Sequence, residues 1–200
     1  MVFFAFWKET PAMERTKRKI KTTPPARKSK KRLSKNSKLG SFFVDELRQL
    51  YWTERRLLKS LPKSSKGSTT AELKAILDNH CTVTEGHVAC LDKVFLLIGR
   101  KARPEKSEGM SVLIRNFRNA TKHNGRKSMT RDVDLILAAQ KVEHCKIASY
   151  NTLVHIAGTM GHPDVAKILV AIADEERAAD HVFSLVGKST ANVEASLEQD

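Results

Sequence analysis

Three stretches of this chain carry an apolar seam at helical spacing that is broken in its middle by a glutamate. Counting in alternating steps of three and four, Val133, Ile136, Gln140, Glu143, Ile147, Tyr150, Val154 and Ala157 fall on one helical face. Phe43, Leu47, Leu50, Glu54, Leu57 and Leu61 form a second such face, and Val165, Leu169, Ile172, Glu176, Ala179, Phe183 and Val186 a third. Packing these seams into a core takes each carboxylate out of water, which costs several kcal/mol if the charge is unpaired. One such glutamate could be a seam counted in the wrong phase, but three centred ones point to carboxylates that face one another inside a helical bundle. Facing carboxylates need a shared proton, a basic partner or a cation, and hard cations favour oxygen ligands. A metal site built on Glu54, Glu143 and Glu176 is therefore the leading expectation, with neutral, proton-sharing glutamates as the alternative.

Two hundred residues, 40% of them hydrophobic, allow one domain with a sizeable core plus a tail. Few aromatics suit helices better than a sandwich, and no apolar run approaches the roughly 20 residues of a membrane span, so no membrane partner is expected. Cys81, Cys90 and Cys145 contain no Cys-x-x-Cys pair, which argues against a disulfide framework or zinc ribbon and makes a reducing cytoplasm the simplest setting. The opening Val2–Trp7 is too short for a signal-peptide core, and Met13 is an alternative first residue that an intact mass would test.

The net charge of +14 is concentrated at one end. Residues 1–40 hold 13 Lys and Arg against Glu9 and Glu14, a net of +11, which leaves +3 for the other 160 residues. This segment has almost nothing to bury and reads as a disordered tail. Lys17, Arg18, Lys19, Lys28, Lys30, Lys31 and Arg32 are its candidates for contacting nucleic-acid phosphates, weighed equally against a merely solubilising role. No aromatic interleaves this basic run, so non-specific DNA is the partner to expect.

A first helix is expected from about Ser41 to Leu61, stopped by Pro62 and followed by a PKSSKGS linker. Thr69 with Glu72 reads as a capping box for a second helix that ends at Gly99. Its polar candidates are His80, Thr84, Glu85 and His87; no single phasing centres Glu85, and a histidine here is more often a hydrogen-bonded core residue than a ligand. A short amphipathic helix is expected around Met110, Leu113, Ile114 and Phe117. Thr130 can cap the next long helix, Pro163 starts the last one, which ends at Gly187, and residues 188–200 read as a frayed tail. Short links within each pair of long helices and a roughly 30-residue connection between pairs predict a ferritin-like four-helix bundle over 41–187, with one long crossover carrying a short extra helix.

The segments LYWTERRLLKSLPK, HCTVTEGHVACLDKVFLLIG, AAQKVEHCKIASYNTL and DEERAADHVFSLV resemble, in order and spacing, the YciE/YciF family of bacterial ferritin-like proteins over about residues 41–186. The resemblance implies a metal-binding bundle associated with stress responses, often dimeric, hence an expected homodimer. It implies Glu54, Glu85, Glu143 and Glu176 as metal ligands, with His144, His87 and Asp180 as further neighbours. The chain departs from the family pattern at Thr82, Lys146, Ser111, Arg115 and Asn116, which makes it a carboxylate-poor relative.

Two functions follow as expectations. One is a metal protein binding iron or manganese, about one ion per chain, with weak or absent di-iron-type oxidase activity, because four carboxylates hold one dication well and Lys146 would repel a second. The other is a non-enzymatic DNA-associated stress protein that uses the tail. No Gly-x-Ser-x-Gly, phosphate loop or His-Glu-x-x-His motif supports hydrolysis.

Overall fold

A computed structural model describes residues 37–122 and 128–198. The basic residues Lys17 to Arg32 expected to contact nucleic acid, and the alternative start Met13, lie outside the described residues. The elements are α1 (Lys38–Gly67), α2 (Ala71–Leu97), α3 (Glu108–Ala120), α4 (Met129–Thr159), α5 (Pro163–Val186), a π turn (Gly187–Ala191) and α6 (Asn192–Ala195). No strand occurs among the described residues, and no helix is long and apolar enough to cross a membrane.

Gly99 and Gly161 adopt positive φ of 66° and 74° and close α2 and α4 with the backbone conformation that glycine reaches without strain. Three-residue links (68–70 and 160–162) fold α1 against α2 and α4 against α5 as antiparallel pairs. Contacts between Thr70 and Asp132 and between His80 and Glu143 run in the same direction along both helices, so α2 and α4 are parallel. Two parallel helices in a bundle require a connection that travels its full length, and α3 lies in that connection, packed on α1 and α4. This is the ferritin-like bundle with one long crossover.

Several local expectations change. The first helix starts at Lys38, where the Ser37 hydroxyl accepts from the Gly40 amide, and it runs through Pro62 to Gly67. A proline inside a helix costs about 3 kcal/mol. Here Pro62 is exposed and Leu58, whose carbonyl loses its partner, is only half-buried. Burial of Leu61, Ser64 and Ser65, and the bond from Ser65 to Asp78, hold the extra turns in place. Continuing the helix brings Gly67 so close to α3 that a Cβ there would lie 2.8 Å from the Thr121 methyl group.

The cap of α2 is Thr70, whose hydroxyl accepts from the Leu73 amide, rather than Thr69. Buried Asp132 of α4 accepts from the Thr69 and Thr70 amides and the Thr70 hydroxyl, so a carboxylate from another helix meets the positive end of α2. Ser128 rather than Thr130 caps α4. The stretch after Gly187, expected to fray, forms the π turn and α6. Ala191 packs into the core, and the Glu198 carboxylate accepts from the Met129 and Thr130 amides at the start of α4.

The apolar interior consists of two clusters. One gathers Leu57, Leu61, Leu73, Leu77, Phe117, Val142 and Phe183; the other gathers Phe43, Leu47, Leu91, Phe95, Leu153 and Leu169. A belt of buried polar side chains lies between them.

Candidate metal centre

That belt follows from the helical repeat. Along α2, Leu73, Leu77, His80, Thr84, His87, Leu91 and Val94 form one buried stripe at the same spacing that picked out the glutamates on the other helices. Glu85 is one residue off this stripe and is exposed, so it belongs to no intrabundle site. The histidines, read as core residues more often than ligands, occupy α2's place in the belt. On α4, Lys146 rather than Ile147 follows Glu143 into the interior, while Gln140 and Ile147 are half-buried. The seam count passes over Lys146, but its i,i+3 relation to Glu143 already marks it as a cation beside the site.

Glu54 of α1, Glu143 of α4 and Glu176 of α5 are all buried, as the seams predicted. Lys146 is fully buried among them, with Nζ 2.6 Å from Glu176 Oε1, 3.2 Å from Glu54 Oε2 and 3.2 Å from Glu143 Oε2. His87 Nδ1 lies 2.9 Å from Glu176 Oε1, and its Nε2 is 2.8 Å from the half-exposed Glu175. His80 Nε2 lies 3.1 Å from Glu143 Oε1, and the Tyr150 hydroxyl donates to Glu54 Oε1 at 2.7 Å. Residues from four helices thus form two triads that share one carboxylate. Ligand atoms of Glu54, His87 and Glu176 lie within 4.8 Å of one another, and so do those of His80, Glu143 and Glu176.

His144 and Asp180 stand elsewhere. His144 is exposed and pairs with Asp180 at 3.0 Å on the bundle surface, where Gln140 also donates to Asp180 and to Ser184. Both are corrected from candidate ligands to members of a surface polar cluster. Glu175, which sequence reasoning missed, positions His87 from outside. Nothing in the seam marks it, because it is exposed and acts only through the histidine.

Burial pushes the Glu54 carboxyl above its usual range, against the pull of Lys146. Burial works against protonation of His87, but Glu176 and Glu54 outweigh it and raise its pKa. His80, desolvated and close to the Lys146 ammonium, is pushed down to about 4 and is neutral. Burial also opposes charge on Lys146, yet Glu143, Glu176 and Glu54 together hold it protonated. The Lys146 ammonium, together with the raised proton affinity of His87, therefore offsets part of the carboxylate charge in the metal-free protein.

Both oxygens of Glu176, Oε2 of Glu54 and Nδ1 of His87 are buried without a well-aligned hydrogen bond, despite the short contacts to Lys146 and between His87 and Glu176. These are ion contacts off the hydrogen-bonding directions. Buried acceptors that converge without satisfying one another suit a cation ligand set, and carboxylate with imidazole suits iron or manganese. With Nε2 held by Glu175, Nδ1 of His87 is directed inward, where it would offer its lone pair to a cation that displaces its proton, and such an outer carboxylate is the usual support of a metal-binding histidine. The residues present fit a metal.

The family model described as "Domain of unknown function (DUF892)" matches residues 38–196. Protein YciF of Escherichia coli (strain K12) is 33% identical over 139 residues, which cover 69% of this chain and 83% of that protein. The crystal structure of the E. coli stress protein YciF is similar with a TM-score of 0.74 at 29% identity, covering 78% of this chain and 98% of that one. The YcfI structure from Rhodopseudomonas palustris gives 0.71 at 28% identity, covering 76% and 96%. A family match across nearly the whole bundle, with these relatives and the four-helix architecture, establishes that the chain belongs to the YciE/YciF family of ferritin-like proteins.

Proposed function

We propose that this chain is a ferritin-like metal protein that binds one divalent ion, iron or manganese, between Glu54, His87 and Glu176, with slow or absent iron oxidation. The observation that supports it most directly is the convergence of these three buried groups from three helices, with no aligned partner for both Glu176 oxygens, Glu54 Oε2 and His87 Nδ1. Three carboxylates and the Lys146 ammonium carry a net charge of −2 when His87 is neutral, which one dication cancels and a second would reverse. Bound iron would supply one-electron redox chemistry. Around it, Tyr150 orients Glu54, Glu175 orients His87, and the two apolar clusters exclude water. The relative YciF is described as a stress protein, and a stress-related role is part of this reading.

Elemental analysis and Mn²⁺ titration of protein purified without chelator test it. One ion per chain, lost in Glu176→Ala, is the expected result; no retained metal, or two equal tight sites, would contradict it.

A second reading rests on the net charge of +11 in residues 1–40, which favours a basic arm that holds DNA without sequence preference while the bundle serves as scaffold.

A further inference from the structure

The two triads are unequal. In the Glu54, His87 and Glu176 triad the imidazole makes no aligned hydrogen bond to either glutamate, whereas in the His80, Glu143 and Glu176 triad His80 bonds Glu143; the Lys146 ammonium lies against the glutamates of both. Lysine is almost never fully buried unless paired, and here a fully buried ammonium touches carboxylates from three helices. It sits 2.6–3.2 Å from an oxygen of each glutamate, at the centre of the carboxylate cluster where a bridging cation would otherwise lie. A ferritin-like two-metal site uses six protein ligands, four glutamates and two histidines, and the two triads sharing Glu176 supply five residues, three glutamates and two histidines, with both histidines on α2.

We infer that the Lys146 side chain is a tethered substitute for a second metal ion and sets the metal stoichiometry of this bundle. The inference deepens the metal reading above and rests on it for the first site. It follows from charge: with the Lys146 ammonium against all three glutamates the cluster carries −2 when His87 is neutral, which one dication cancels, so a second would enter against net repulsion that removing the ammonium relieves. A tethered cation also has an advantage in effective concentration over a free one. Lys146 is thus a residue that determines specificity, acting on how many ions bind rather than touching substrate.

The test uses the full-length wild type, Lys146→Gln and Lys146→Glu, each stripped with chelator. They are titrated with Mn²⁺, bound metal is counted by elemental analysis, and melting temperatures are recorded with and without Mn²⁺. Both variants should bind one ion more per chain than wild type, the Glu variant more tightly than the Gln variant, and Mn²⁺ should raise their melting temperatures further than it raises that of wild type. Equal stoichiometry in all three chains overturns the inference while leaving the one-ion reading standing if that number is one. Wild type with no ion and variants with one would refute the one-ion reading but support the substitution. A Lys146→Gln chain that folds only with Mn²⁺ supports the inference, and one that stays unfolded at saturating Mn²⁺ overturns it.

Discussion

The Nζ of Lys146 lies 2.6 Å from Oε1 of Glu176, with both side chains fully buried and carried on different helices. In the metal-free protein this contact joins α4 to α5 at the level of the polar belt. A buried ion cluster of this kind contributes little net stability relative to an apolar core, yet losing one member is costly because the others stay buried and unpaired.

Lys146→Met in chelator should therefore destabilise the bundle by about 3–5 kcal/mol, since Glu54, Glu143 and Glu176 would face one another without their ammonium. Urea denaturation measures this. A change within 0.5 kcal/mol, on the order expected for a surface site, would mean that the carboxylates are already neutral.

Glu85 and His87 should behave oppositely. Glu85→Ala, at an exposed position, should change stability by no more than about 0.5 kcal/mol and leave metal content as in wild type. His87→Ala should abolish Mn²⁺ binding, because it removes the only nitrogen ligand of the Glu54–His87–Glu176 triad. Titration calorimetry on both variants checks the pair.

Asp132→Ala should cost about 3 kcal/mol, as it leaves two backbone amides and a hydroxyl at the start of α2 without their buried acceptor. Asp132→Asn should recover part of the loss, since one amide oxygen can still accept. Chemical denaturation of both variants distinguishes lost acceptors from lost charge.

Removing residues 1–36 should abolish weak duplex-DNA binding and its steep salt dependence while leaving the bundle's melting temperature unchanged. Fluorescence anisotropy across a salt series reads the first effect and calorimetry the second. An unchanged salt slope would place the DNA contacts elsewhere or nowhere.

The sequence by itself determined the helical class, the paired connections, the long crossover and the three centred glutamates, because helical burial repeats every 3.6 residues and a carboxylate in an apolar seam is conspicuous. Glycines after α2 and α4 and the proline opening α5 were legible for the same local reason. What lay beyond local rules was decided by tertiary packing. Pro62 stays helical because the Leu58 carbonyl it leaves without an amide partner lies on a partly exposed side and the next turn is buried. Asp132 matters only because α2 and α4 run parallel, which places its carboxylate at the α2 N-terminus. His80, His87 and Lys146 carry no mark that separates a buried ligand or counter-ion from an ordinary polar residue, since each becomes tolerable in the core only through partners on other helices. A charge's place inside a bundle depends on the charges that face it, and only the three-dimensional arrangement brings residues 54, 87, 146 and 176 together.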